Sequence, residues 1–118
     1  VGDAVYELLV RTYLAGHGQA RVIDLHRATV AMVKAGAQAK AAAVILPLLT
    51  EEERAVYKRG RNSHVNSVPR GASKAEYHAA TGLEAVFGYL HLAGEDERAR
   101  ELFDAVLSAR DAGEDKLT

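Results

Sequence analysis

Residues Ser73–Gly94 read SKAEYHAATGLEAVFGYLHLAG, and the spacing within this stretch decides the class of fold. Ser73 followed three residues later by Glu76 has the form of a capping box, in which each side chain bonds the free backbone N–H of the other residue. Beyond it Leu83, Val86, Phe87, Leu90 and Leu92 recur at helical spacing without a proline, so one helix is expected to reach Leu92, before Ala93 and Gly94. Apolar residues on almost every side leave this helix little room for a solvated stripe.

The same recurrence at three and four residues continues in both directions, and the 118 residues contain only 2 prolines. An all-α helical bundle without strands is therefore expected. A first helix from Val1 to about Ala15 would turn Val1, Val5, Leu8, Leu9 and Tyr13 to the core and end at Gly16 and Gly18. A second, from Ile23 or Asp24, carries Leu25, Ala28, Val30 and Val33, with Gly36 breaking it from the alanine-rich stretch Ala37–Leu49. Thr50 and Glu53 repeat the capping-box spacing and open a short helix to about Arg59. Residues Gly60–Gly71, with Asn62, Ser63, Asn66, Ser67 and Pro69, have loop composition. A last amphipathic helix runs from Asp96 to about Ala112 through Ala99, Leu102, Phe103, Val106 and Leu107.

A chain of this length makes one domain, residues 1–118, and 48 % hydrophobic residues are enough for a core that buries roughly 65 % of the unfolded surface. Separate substrate and cofactor modules are excluded. The absence of cysteine removes disulfides, thiolate metal sites and cysteine nucleophiles. Apolar stretches such as Ala41–Leu49 fall short of the ~20 residues of a membrane span, and no charged-then-apolar leader is seen. A cytoplasmic protein with no membrane partner is expected. Val1 already reads as mid-helix, so further residues are expected upstream of it.

Glu84 is the most informative carboxylate. Its row neighbours Ala80 and Gly88 are small, which lets another helix approach and places the carboxylate in a tight, partly dry site. Such a group needs a metal ion, a cation or a hydrogen-bonding partner, and spacing alone leaves an arginine pair or a backbone cap equally open. Asp3, with Glu7 on the same helix face, presents either a seat for a hard cation or a solvated edge. The 5 histidines include no pair at zinc spacing, no serine lies in a nucleophile elbow, and neither nucleotide-binding glycine fingerprint is present.

Net charge is −1, from 15 Lys+Arg against 16 Asp+Glu, but the charges are segregated. Arg54 to Lys74 contains no acid and includes Lys58, Arg59, Arg61, Arg70 and Lys74, with His64 among them. Lys58, Arg59, Arg61 and Asn62 supply the donors that phosphate oxygens require. A solvated, dipole-favoured helix end explains them as well. No aromatic residues interleave as a stacking platform would demand, so a nucleic-acid reading leans toward backbone or duplex shape.

Three blocks together, GDAVYELLVR over Gly2–Arg11, the Lys58–Asn62 run, and ATGLEAVFGYL over Ala80–Leu90, resemble Mini-ribonuclease III, the short branch of the ribonuclease III family. The likeness covers essentially the whole chain. It implies an all-helical endonuclease domain acting as a homodimer on double-stranded RNA, with the active sites in a valley across the dimer. It also implies that Asp3 and Glu84 hold Mg2+ as the catalytic pair, and that products carry 5′-phosphate and 3′-hydroxyl ends. Longer relatives have a glutamate that would fall upstream of Val1 and an aspartate where this chain has Thr81. The metal shell is thus expected to be thinner, with Thr81 and Glu7 as supporting residues. Without an appended RNA-binding domain, grip falls to Lys58, Arg59, Arg61, Asn62, Arg70 and Lys74. Precursor 23S ribosomal RNA is the implied substrate, with a ribosomal protein as an open further partner. A catalytically silent RNA-binding relative and a helical interaction module are the alternatives: the first predicts RNA binding without cleavage, the second RNA affinity indifferent to the basic run.

Overall fold

The structure, a computed structural model, describes residues 1–16, 22–63 and 71–117, with side chains in the last helix as far as Gly113. The described residues form six α-helices and a single 3₁₀ turn, with no strand among them. In chain order these are α1 (Gly2–Gly16), α2 (Val22–Val33), α3 (Ala35–Ile45), the 3₁₀ turn Leu46–Leu48, α4 (Glu51–Arg61), α5 (Lys74–Leu92) and α6 (Asp96–Leu117).

α5 is the axis of the bundle, with α1, α3, α4 and α6 packed around it. Its Leu83, Val86, Phe87 and Leu90 are almost wholly buried, as four nearly consecutive apolar positions on a 3.6-residue helix require when neighbours lie on several sides. Tyr6 of α1 meets Phe87 edge-on at 5.1 Å and Phe103 of α6 at 5.7 Å, so three rings tie three helices together. On α3 the inward residues are Gln38, Ala41, Ala42 and Ile45, and the small alanines let that helix lie close to α5. Both expected capping boxes form. Thr50 Oγ1 accepts from Glu53 N at 3.2 Å and Ser73 Oγ from Glu76 N at 3.1 Å, each with the return bond from the glutamate's partner backbone N–H.

The structure corrects several details. The buried stripe of α1 is Tyr6, Val10 and Leu14, one residue out of phase with the apolar face read from sequence. Val5, Leu9 and Tyr13 flank that stripe, whereas Val1 and Leu8 are exposed, at 68 % and 67 %. The break after α2 falls at Lys34, the extended N-cap of α3, and Gly36 lies inside the first turn. Val30 and Leu92 face solvent, and Thr29 and Met32 are the buried residues of α2. The alanine-rich helix stops at Ile45, where Pro47 tightens the chain into the 3₁₀ turn. α4 continues through Gly60 to Arg61, so the segment read as loop begins later, and α6 runs on to Leu117. Gly18, His64, Arg70 and the Asn66–Pro69 stretch lie outside the described residues.

Candidate active site

Asp3 lies in the first turn of α1 and Glu84 in the middle of α5. Glycines bring the two helices together. A Cβ on Gly2 would stand 1.8 Å from the Glu84 carbonyl oxygen, and one on Gly88 would stand 3.1 Å from Gly2 N and Cα. Only a hydrogen at each position allows this approach, which carries Asp3 to the helix of Glu84. The small-residue row read from sequence therefore does the work expected of it.

The electrostatics follow from that placement. Glu84 is half-buried, and loss of solvent, followed by the negative charge of Asp3, pushes its carboxyl above the ordinary carboxylate range. The Gln38 amide on α3 partly offsets this. Asp3 is exposed and held below its ordinary value, chiefly by the Ala4 backbone N–H, which donates to Oδ1 at 2.9 Å. Two carboxylates close enough to feel each other, one of them desolvated, favour a cation between them.

Gln38 was missed in the sequence. Its side chain is 5 % exposed, its Nε2 donates to the Val33 carbonyl at 2.9 Å across the α2–α3 bend, and its Oε1 has no partner among the described residues. Gln38 and Glu84, with Tyr6 and Ala80, line one cavity of about 1150 Å³ running between α3, α5 and α6. The available signal was a single amide on the Ala41, Ala42 and Ile45 face of a helix built largely of alanine.

The supporting residues divide. Thr81, one turn before Glu84, donates its hydroxyl to the Tyr77 carbonyl at 2.9 Å. Glu7 accepts from Arg11 Nε at 3.1 Å on the exposed side of α1. Among the described residues no three His, Cys, Asp or Glu side chains converge as a metal cluster, so Glu7 does not complete one.

The basic run is helical. Lys58, Arg59 and Arg61 are exposed on the last turn of α4, where the helix dipole favours cations. Asn62 caps that turn, its N–H reaching the Lys58 carbonyl at 3.0 Å and its Oδ1 accepting from Arg61 Nε at 3.3 Å. Gly60 fastens the turn to α5: a Cβ there would lie 2.6 Å from Ala85 Cβ and 3.0 Å from the Thr81 carbonyl. The basic turn therefore abuts the very turn of α5 that bears Glu84. Lys74 is exposed as the first residue of α5, and Arg70 falls outside the described residues.

A Ribonuclease III domain model matches residues 1–95. The Mini-ribonuclease 3 of Symbiobacterium thermophilum is 45 % identical over 114 residues, which span 97 % of this chain and 88 % of that protein. The Mini-ribonuclease 3 of a Thermoanaerobacter species is 45 % identical over 104 residues, 88 % of this chain and 73 % of its own. A crystal structure of a Fusobacterium nucleatum protein is similar with a TM-score of 0.84 at 30 % identity, covering 93 % of this chain and 88 % of that one.

Proposed function

We propose, for a chain that belongs to the ribonuclease III family and to its Mini-ribonuclease 3 branch, that Asp3 and Glu84 hold Mg2+ for endonucleolytic hydrolysis of double-stranded RNA. The chain is an endoribonuclease by that membership. The observation that carries the metal reading is the packing of the start of α1, which bears Asp3, against the backbone of Glu84, where a Cβ on Gly2 would lie 1.8 Å from the Glu84 carbonyl oxygen. Hard oxygen donors without cysteine or a histidine cluster suit magnesium, and a set of two acids leaves positions for water and for phosphate oxygen. Magnesium, when bound, supplies Lewis-acid polarisation of the phosphoryl oxygen and eases ionisation of a bound water.

The chain's own residues do the rest. Asp3, open to solvent, faces incoming RNA, while Glu84 anchors the inner side of the site. The Thr81 hydroxyl donates its hydrogen bond to the Tyr77 carbonyl and keeps a lone pair for a water. Lys58, Arg59, Arg61 and Asn62, with Lys74 and Arg70, grip phosphates beside the cut. Cleavage between phosphorus and the 3′ oxygen leaves 5′-phosphate and 3′-hydroxyl ends.

A second copy of the chain is proposed to complete the enzyme. The exposed Val1 and Leu8, with Val5, Leu9, His91, Ala99 and Arg100, line an apolar groove on the outer side of α1, which supports a homodimer there. The proposed task is maturation of precursor 23S ribosomal RNA in the cytoplasm, with a ribosomal protein as a further partner. The test is to incubate the protein with a long RNA duplex and with single-stranded RNA, each in magnesium and in chelator. Magnesium-dependent cutting of the duplex alone is the expected result. Salt-sensitive duplex binding with no cutting under any divalent ion would replace the enzyme reading with that of a silent RNA-binding relative.

A further inference from the structure

Gln38 is a buried polar side chain of which only half has a structural role. Residues at the same face of α3 are alanine and isoleucine, and burying an amide costs free energy unless its groups are paired. Half of it is paired: Nε2 donates to the Val33 carbonyl, at the point where α2 ends and the chain bends at Lys34. That bond fixes the amide plane. The second Nε2 hydrogen and the Oε1 remain, and Oε1 is buried without a partner among the described residues. The amide and Glu84 line the same cavity between α3 and α5.

We infer that Gln38 is a positioning residue for the metal-holding carboxylate: anchored on the Val33 carbonyl, it directs its second Nε2 hydrogen to Glu84. The inference rests on the reading of Glu84 as a metal ligand. It explains three things together. A buried amide is tolerated in an alanine face because both of its Nε2 hydrogens then have partners, the Val33 carbonyl and the carboxylate. The free carboxylate of a flexible glutamate is confined to one orientation, which lowers the ordering cost of taking up a cation. The α2–α3 bend, otherwise only a change of direction, becomes the fixed point from which the site is aligned.

The experiment compares wild type, Gln38→Met and Glu84→Gln. Methionine keeps the length and apolar volume of glutamine and removes both the donor and the acceptor. Mn2+ affinity is measured by calorimetry on the RNA-free protein, beside thermal melting in chelator and RNA affinity in chelator. Losing the Val33 bond lowers the melting temperature whatever the role of Gln38, so melting alone decides nothing. Positioning predicts a loss of Mn2+ affinity of about tenfold or more in Gln38→Met, with RNA affinity in chelator unchanged. A folded Gln38→Met that binds Mn2+ as wild type does, while Glu84→Gln has lost it, overturns the inference and leaves the Glu84 reading intact. Retention of Mn2+ binding by Glu84→Gln overturns both. A second measurement needs no change at Gln38. The side-chain amide proton resonances of Gln38 in the wild type should shift on Mg2+ addition and differ in Glu84→Gln, and resonances unmoved by either would overturn the inference even if Gln38→Met does not fold.

Discussion

A methyl group on Gly2 is the smallest change that should disable the site. It would overlap the Glu84 carbonyl, so Gly2→Ala must push the start of α1 off α5 and take Asp3 with it. We expect about 1–3 kcal/mol of destabilisation and a loss of cleavage out of proportion to it, on the order of a hundredfold, measured by denaturant unfolding and by single-turnover cleavage. Glu84 should show the opposite trade. Its carboxyl is raised above the ordinary 4.5, so ionisation costs folding free energy, a cost that grows as pH rises through the ordinary value. In chelator, Glu84→Gln should therefore melt a few degrees above wild type at neutral pH, and the gap should close near pH 4. Glu84 stood out in the sequence as a carboxylate among apolar and small residues, whereas spacing left Asp3 with Glu7 as a cation seat or a solvated edge, and only the family resemblance paired the two acids. Gln38 was not, because its meaning comes from the burial of its face and from the bend at Lys34, which the pattern assigned to Gly36.

Helix placement depends on a clamp between α6 and the start of α4. Arg98 donates to Glu53 through Nε at 3.0 Å and Nη2 at 2.9 Å, to the Leu48 carbonyl at 2.8 Å, and also to Glu101. Glu53 is thus both the far arm of a capping box and the acceptor of a forked guanidinium pair, and is 5 % exposed. Removing the guanidinium leaves that carboxylate buried and unpaired, so Arg98→Met should cost about 2–3 kcal/mol, discounted from a fully buried pair because Arg98 is partly open. The hydrogen bonds from Arg98 hold the Glu53 carboxyl below 4.5. A carboxyl depressed in the folded state adds stability above its unfolded value and loses it as pH falls through the folded value. Wild-type melting temperature should accordingly drop between about pH 5 and pH 3, and that of Arg98→Met should drop less. Helix existence and the two capping boxes were legible because they are local. The phase of α1 was not. Val1 and Leu8 look like core residues in a single helix, yet Tyr6 is the residue whose ring reaches Phe87 and Phe103.

For the whole molecule, an RNA-cleaving protein with a net charge of −1 must concentrate its attraction, and the proposed place is the α4 end, which Gly60 packs onto Thr81 and Ala85 of α5. Replacing Lys58, Arg59 and Arg61 with glutamine should weaken duplex binding uniformly across sequences and flatten the logarithmic salt dependence by about 2–3, measured by filter binding at several salt concentrations. The all-helical class and the basic block were legible from spacing and charge order. The packing of the basic turn on α5 was not, since it depends on a glycine contact between helices joined by residues whose composition is that of a loop. The claim on which the account stands is that Glu84 makes RNA hydrolysis possible without being needed to hold RNA. The most direct test is the single-turnover rate of duplex cleavage by Glu84→Gln at saturating Mg2+ and RNA, beside its duplex affinity in chelator. The expected result is a fall on the order of a thousandfold or more, about 4 kcal/mol of barrier, with affinity within about twofold of wild type. Cleavage within about tenfold of the wild-type rate would contradict it.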